Sequence, residues 1–314
     1  MICGTFRYKA YGLHISSDIV MPELLPYTDI LAEPDVKIIL GIVPSEISGA
    51  VEANDIYQVA RDKFFYRVRG VGNYYVTDGN CILVEPDEQA EERFVRVFLL
   101  GTAFAAMLLQ RGVFPLHGSA IVFDGYCAVF TGATGAGKST LSAALRERGY
   151  PLLTDDVAVV STGSDGVARV QPGFPLQKLW RDSAEVMGAD TSPDLAVFVG
   201  NFKDKFMIPV DEGFCSLPVP LGAIYELVPG KSPHVTIKRF SAIDKLTVLM
   251  NNIYRGWLIE GLDRKTEHFK SSVDMAGKVS VSSLTRPEGI FSLEDQMRLI
   301  RDDLHSLFPD GFSL

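Results

Sequence analysis

Three glycines and a lysine-serine pair crowd into Gly132-Ala-Thr-Gly135-Ala-Gly137-Lys138-Ser139, between two runs of opposite character. Ahead lies Tyr126-Cys-Ala-Val-Phe130, apolar and β-prone. Behind lies Ser139-Thr-Leu-Ser-Ala-Ala-Leu-Arg-Glu-Arg148, rich in helix formers and stopped by Gly149. A strand that turns through glycines directly into a helix demands an α/β arrangement and aims the first N–H groups of that helix at the loop. The spacing fits G-x-x-x-x-G-K-[ST]. In that pattern backbone N–H groups close around phosphate oxygens, the lysine reaches the β- and γ-phosphates and the hydroxyl sits on Mg²⁺. Gly132, Ala133, Thr134, Gly135, Ala136, Gly137, Lys138, Ser139 and Thr140 are therefore expected to hold ATP, with Ser139 also a Mg²⁺ ligand. The bland reading, a glycine-rich turn with a solvated lysine, leaves the flanking strand and helix unexplained.

The chain has 314 residues, more than a usual single domain, and 47% hydrophobic against 22% charged residues suits a sizeable buried core. Its longest apolar stretch, Val97-Phe-Leu-Leu-Gly-Thr-Ala-Phe-Ala-Ala-Met-Leu-Leu109, is shorter than the roughly 18 residues of a membrane span. Arg93, Arg96 and Arg111 bracket it, so a buried helix is expected and no membrane partner. Met-Ile-Cys-Gly-Thr-Phe-Arg at the start lacks the apolar core of a signal peptide, which implies a cytoplasmic location. A net charge of −9 argues against nucleic acid as a partner. Cys3, Cys81, Cys127 and Cys215 show no metal-ligand spacing and read as reduced thiols.

Residues 1–87 read as a β-rich N-terminal domain. Asp35-Val-Lys-Ile-Ile-Leu-Gly-Ile-Val43 is a strand candidate, Phe64 to Arg69 and Asn73 to Thr77 alternate across a glycine turn, and Asp78-Gly79 leads into Cys81-Ile-Leu-Val84. A connecting helix fills 88–114, and 115–314 forms the catalytic domain. There Ser119-Ala-Ile-Val-Phe123 and Tyr126-Cys-Ala-Val-Phe130 flank Asp124-Gly125, a strong hairpin signal. The glycine loop thus follows the second arm of an antiparallel hairpin, and a mixed, antiparallel-rich sheet is expected.

Asp155 and Asp156 interrupt an apolar β-like run one helix after the loop. Phosphoryl transfer needs one carboxylate for the metal and one for the attacking hydroxyl's proton, and alternation along a strand would aim the two differently. A solvated strand end is the bland alternative. His117, just ahead of the hairpin, is a candidate to act beside the loop, although a lone histidine is more often structural. Lys178 and Arg181, with Gln177 in Gly173-Phe-Pro-Leu-Gln-Lys-Leu-Trp-Arg181, are candidate cations for a transferring phosphoryl group. Lys203 and Lys205 are similar cases.

Leu116-His117-Gly118, the hairpin, the loop, a helix ending in Arg-Gly and then Asp-Asp together resemble the catalytic domain of HPr kinase/phosphorylase, and more remotely the nucleotide domain of phosphoenolpyruvate carboxykinase. The resemblance covers about residues 115–230. It implies an α/β (α+β) P-loop fold, Asp155 as the base on the substrate hydroxyl, Asp156 as a metal-side carboxylate with Ser139, and a homo-oligomer. One stretch departs: the glycine-rich segment of HPr kinases, with its metal-side Glu, is replaced by 173–183. That form, with Tyr11-Gly-Leu-His-Ile-Ser-Ser-Asp-Ile-Val-Met-Pro-Glu23, looks like the divergent kinases of lasso-peptide biosynthesis, which phosphorylate a C-terminal serine of a precursor peptide. The resulting expectation is an ATP- and Mg²⁺-dependent peptide serine kinase, with Lys138, Asp155, His117, Lys178 and Arg181 catalytic. An HPr serine kinase, a shikimate-kinase-like small-molecule kinase and a nucleotide-gated binding module are the alternatives.

Overall fold

Period-two alternation and glycine turns build the N-terminal part of the chain, as far as Pro86, into sheet. A computed structural model describes residues 6–29, 32–199, 203–290 and 292–309. Their contacts divide into two units, Met1–Pro115 with Tyr254–Ser271, and Leu116–Ile253 with Ser272–Leu314. The fold is mixed α/β, with a β-rich N-terminal sheet and a second, mixed sheet.

The first unit holds β1 (Phe6–Ala10), β2 (Leu13–Ser17), β3 (Leu25–Pro26), β4 (Val36–Leu40), β5 (Glu52–Ala53), β6 (Tyr57–Ala60), β7 (Lys63–Val68), β8 (Gly72–Thr77) and β9 (Cys81–Pro86). They form one sheet in the order β3-β1-β2-β4-β9-β8-β7-β6-β5. Every second residue of β8 is buried, the mark of a strand with one face on a core. On that core lies α1 (Glu92–Phe98), which passes through a π-helical turn, Leu99–Ala103, into α2 (Phe104–Gln110). Every residue from Leu99 to Gln110 is buried, which accounts for the long apolar stretch. Gln110 satisfies its own burial by accepting from Gly79 N–H at 2.8 Å and donating to Val76 O at 3.2 Å. Among the described residues no helix is long and apolar enough to cross a membrane. Residues 254–271, expected within the larger domain, group here because Trp257 packs on Tyr57, ring centroids 4.8 Å apart, and Arg264 pairs with Asp62.

From Leu116 onward the second unit takes in β10 (Phe114–Phe123) and β11 (Tyr126–Thr131), paired antiparallel with Phe123 opposite Tyr126. Asp124 and Gly125 between them both have positive φ, 43° and 89°, the conformation a two-residue hairpin turn requires. Then follow α3 (Lys138–Glu147), β12 (Leu152–Thr154), β13 (Val157–Thr162), β14 (Ala168–Gln171), β15 (Leu176–Trp180), α4 (Arg181–Val186), β16 (Ala196–Val199), β17 (Lys203–Pro209), β18 (Val219–Gly230), β19 (Thr236–Arg239) and α5 (Ala242–Asn251). Last come α6 (Leu258–Gly261) of the first unit, α7 (Lys265–Lys278), β20 (Ser280–Pro287) and α8 (Leu293–Leu307).

Eight strands form the second sheet, in the order β11-β10-β13-β14-β18-β20-β19 with β12 beside β10. Because β11 also pairs with β18, in parallel, the pairings β11-β10-β13-β14-β18 close on themselves. Leu141, Ala144 and Leu145 of α3 share one core with Met297, Ile300 and Leu304 of α8 and with Phe130, Tyr225 and Leu227 of the sheet. Each large side chain buried there is worth about 1.5–3 kcal/mol, so α3 is held to the sheet by its apolar stripe and its N-terminus is a fixed point. A separate sheet, β15-β17-β16, packs its Leu179, Phe206 and Ile208 against Ala143 of α3.

Candidate active site

The loop between β11 and α3 takes the shape its glycines allow. Gly132, Gly135 and Gly137 have φ of 126°, 82° and 104°, which L side chains rarely adopt. At Gly132 space forbids a side chain as well, since a Cβ there would lie 2.7 Å from Leu227 O. Ala133, Thr134 and Gly135 are exposed, whereas Ala136 and Lys138 are buried. Lys138 lies back over the loop and donates to Gly132 O at 2.7 Å and Ala133 O at 3.1 Å. Burial pulls its amine below the ordinary lysine range, with the charge of Asp156 opposing. Ser139 donates to Asp155 Oδ1 at 3.4 Å, and Thr140 shares a 2.7 Å hydrogen bond with Ser183 of α4.

The two aspartates do not sit within a strand. They occupy the break between β12 and β13, where Val157 N–H donates to Asp155 O at 2.9 Å and Asp156 has φ of 69°. That is a γ-turn of the rarer, strained hand. The turn, rather than alternation along a strand, separates the two side chains. It also turns the carbonyl of Asp156 toward β10, where Gly118 N–H donates to it at 3.2 Å and His117 Nδ1 at 3.1 Å.

Asp155 faces the loop. Its Oδ1 accepts from the Ser119 and Ser139 hydroxyls, and its Oδ2 accepts from Lys178 N–H at 2.7 Å. Only 5% of it is exposed. Burial raises its pKa, with the Ser119 and Lys178 hydrogen bonds opposing. Asp156 faces the other way and pairs with Lys178 Nζ at 2.9 Å. Burial is the largest single influence and works against its charge, but Lys178, His117 and Lys205 together outweigh it and hold the carboxyl well below the usual carboxylate range. Burial likewise lowers His117 below the ordinary histidine value, against the pull of Asp156. At neutral pH that ring is a hydrogen-bond donor through Nδ1 and not an ion-pair partner, although Nδ1 lies 3.6 Å from Asp156 Oδ1.

The sequence expectation set Asp156 with Ser139 on the metal and Asp155 on the substrate. In the structure the Ser139 hydroxyl meets Asp155, and the γ-turn orients the pair. Strand parity does apply on β15. Lys178 and Trp180 share a face with Lys205, whose Nζ lies 4.8 Å from the Trp180 ring across the β15–β17 register. Gln177 and Leu179 take the other face, where Gln177 Nε2 donates to Ser142 of α3 at 2.8 Å. Arg181 opens α4 with its guanidinium over Phe206, 4.8 Å from the ring centroid, on that opposite side. Lys205 thus shares the Lys178 face, and its charge acts on both acids, whereas Arg181 lies on the other face. Lys203 lies on β17, and its side chain is outside the described residues.

No family model and no curated protein matches the chain. Among solved structures it is similar to the HPr(Ser) kinase/phosphatase from Coxiella burnetii, at 13% identity over 61% of this chain and 97% of that one, with a TM-score of 0.32. A likeness that loose carries no weight for the fold or for the chemistry.

Three residues around the loop carry no motif and escape a reading of the sequence. Ser119 supplies a buried hydroxyl to Asp155. Asn252, at the end of α5, accepts from Gly132 N–H at 3.2 Å and donates to Glu226 at 3.3 Å, while its carbonyl takes His117 N–H at 2.7 Å. Arg286 of β20 donates through Nε to Ala136 O at 2.8 Å. Asn252 and Arg286 reach the loop only through the tertiary fold.

Proposed function

We propose that this chain is an ATP-dependent phosphotransferase acting on a hydroxyl, and within that class a peptide serine kinase. One juxtaposition carries the reading: a glycine loop with Lys138 and Ser139 beside two carboxylates whose surroundings drive their proton affinities apart. Such divergence assigns different jobs to like groups. Asp155, closed off and held on Ser139, is the metal-side acid. Asp156, ionised and aimed at Lys178, orients the acceptor hydroxyl and takes its proton. Lys138 and the loop N–H groups hold the phosphates, and Lys178 and Lys205 offset the charge that builds on the transferring group.

The donors fit Mg²⁺. A hydroxyl and a carboxylate are the hard oxygen ligands it favours. Among the described residues no three His, Cys, Asp or Glu side chains form a cage of their own, and an ion held mainly by one or two protein oxygens, phosphates and water needs none. When bound, the ion neutralises phosphate charge. The finer reading, transfer to the C-terminal serine of a lasso precursor peptide, draws support from segment 173–183 standing where HPr kinases carry their glycine-rich stretch. An extended tail can bring its hydroxyl to about 3–3.5 Å from phosphorus without recognition of a folded surface.

Incubation with γ-labelled Mg·ATP and either a Ser-terminated precursor peptide, folded HPr or shikimate tests this. Label on the peptide is expected. Label on HPr alone makes the chain an HPr kinase, label on the metabolite a small-molecule kinase, and nucleotide binding without transfer a gated module.

A further inference from the structure

Arg286 is placed by topology. β20 runs parallel to β18, and β18 runs parallel to β11, so the three strands point the same way at the loop. β11 ends at Thr131, opposite Glu226, while β18 and β20 continue, with Arg286 opposite Pro229. At about 3.3 Å per residue, the step from Glu226 to Pro229 carries Arg286 about 10 Å past the end of β11. Its side chain therefore reaches the far half of the loop rather than the strand beneath it.

There its position is fixed. Nε donates to Ala136 O at 2.8 Å, and the guanidinium lies against Gly137, where a Cβ would sit 3.5 Å from Nε and 4.0 Å from Cζ and Nη2. The side chain is half-buried. Among the described residues it has no carboxylate partner, and its two Nη groups make no hydrogen bond. A partly desolvated cation without an acid beside it is costly unless an anion completes it. The rigid fork of donors on an arginine matches paired phosphate oxygens, and Ala136 and Gly137 border the backbone nest in which such oxygens settle.

We propose that Arg286 is a nucleotide-binding residue that clamps the inner, α- and β-phosphates of the bound nucleotide, leaving the γ-phosphate to Lys138. This rests on the ATP-dependent reading above and adds a ligand-contacting residue from the last strand of the second sheet. A purely structural brace between β20 and the loop is the competing account, and Arg286→Gln separates the two. The glutamine amide can still donate to Ala136 O, but it has neither charge nor fork.

The test measures Mg·ATP and Mg·ADP affinity calorimetrically for wild type, Arg286→Gln and Arg286→Lys, with melting temperature as a control on folding. Arg286→Gln should weaken both nucleotides by the same factor, about tenfold to a hundredfold, the scale of a paired charge-assisted contact. Arg286→Lys should recover only part of the loss. Wild-type affinity in Arg286→Gln would overturn the clamp and leave the brace. A loss for ATP with none for ADP would move the residue to the γ-phosphate and equally overturn it. Wild-type protein binding neither nucleotide would sink the ATP-dependent reading itself, and the clamp with it.

Discussion

Replacing Lys178 with Met would isolate the ion pair at the centre of the site. Met keeps most of the lysine stem and removes only the charge. Asp156 and Lys178 are 17% and 14% exposed and 2.9 Å apart. At an effective dielectric of 20 that separation corresponds to a gross attraction of about 6 kcal/mol. The desolvation cost of Lys178 disappears with its charge, and Lys205 remains nearby, so the net loss is smaller. Breaking a buried pair from one side generally costs about 3–5 kcal/mol, and about 3 kcal/mol is expected here. Asp156→Asn should cost a similar amount, and the double variant little more than either, a coupling of about 2–3 kcal/mol. The chain has two tryptophans. In a Trp257→Phe background, urea unfolding followed by fluorescence reports Trp180, and so the second unit. The pH dependence has a definite sign. Because the folded-state pKa of Asp156 is depressed, its stabilisation is complete above the unfolded carboxyl value of about 3.9 and is lost as pH falls through the folded value. The gap between wild type and Lys178→Met should hold from pH 7 to about 4 and shrink below that. A Lys178→Met protein within about 0.5 kcal/mol of wild type, or an additive cycle, would refute the pair as drawn.

Lys138→Ala should lower transfer by about 10³-fold or more, with urea midpoint little changed because the side chain donates only to loop carbonyls; near-normal turnover at saturating ATP would remove Lys138 from the phosphates. Asp155→Asn should abolish transfer yet stabilise the nucleotide-free protein at pH 7 by about 1 kcal/mol, since its amide can face Lys178 N–H with the oxygen and the rotatable Ser119 and Ser139 hydroxyls with the nitrogen. The raised folded-state pKa of Asp155 means its ionisation costs stability above that value, so this gain should vanish as pH falls toward 4; a gain that grows in acid contradicts it. Gly132→Ala should cost about 2 kcal/mol or more and most of the nucleotide affinity, read by calorimetry, because its Cβ meets Leu227 O. Asp156→Gly should be about 1 kcal/mol more stable than Asp156→Ala, both lacking the carboxylate; equal urea midpoints would argue against the strained γ-turn.

What could be read from the sequence was whatever depends on neighbours in the chain. Asp124-Gly125 specifies a two-residue hairpin because both positions tolerate positive φ, and the register follows. The glycine loop is legible for the same reason, its three glycines taking the three φ values that other residues avoid. The closing of the second sheet through β11 and β18 is not legible, because the paired segments are far apart in sequence and neither carries a partner's mark. Arg286 is hidden in the same way, 150 residues from the carbonyl it holds. Arg181 is a different case. Reading 176–180 as a strand puts Lys178 and Trp180 on one face, and the chain then leaves the strand at Arg181 to begin α4, whose cation turns to Phe206.

Asp155 and Asp156 show where a pattern of residue types stops short of mechanism. Their identity suggested a pair with two tasks, and alternation along a strand suggested how neighbouring acids could face different ways, yet the structure separates them by another route. Parity presumes an unbroken strand, and a single residue at φ of 69° breaks it. That conformation costs on the order of 1–3 kcal/mol and persists because the surroundings overdetermine it. The Asp156 carbonyl takes two hydrogen bonds from β10, and its carboxylate takes the ammonium of Lys178. Relaxing the turn would give up all three contacts and would swing Asp155 off Ser139. The strain is thus located at the junction of the two acids, and it lets two consecutive residues point a buried carboxylate at the loop and an ionised one away from it.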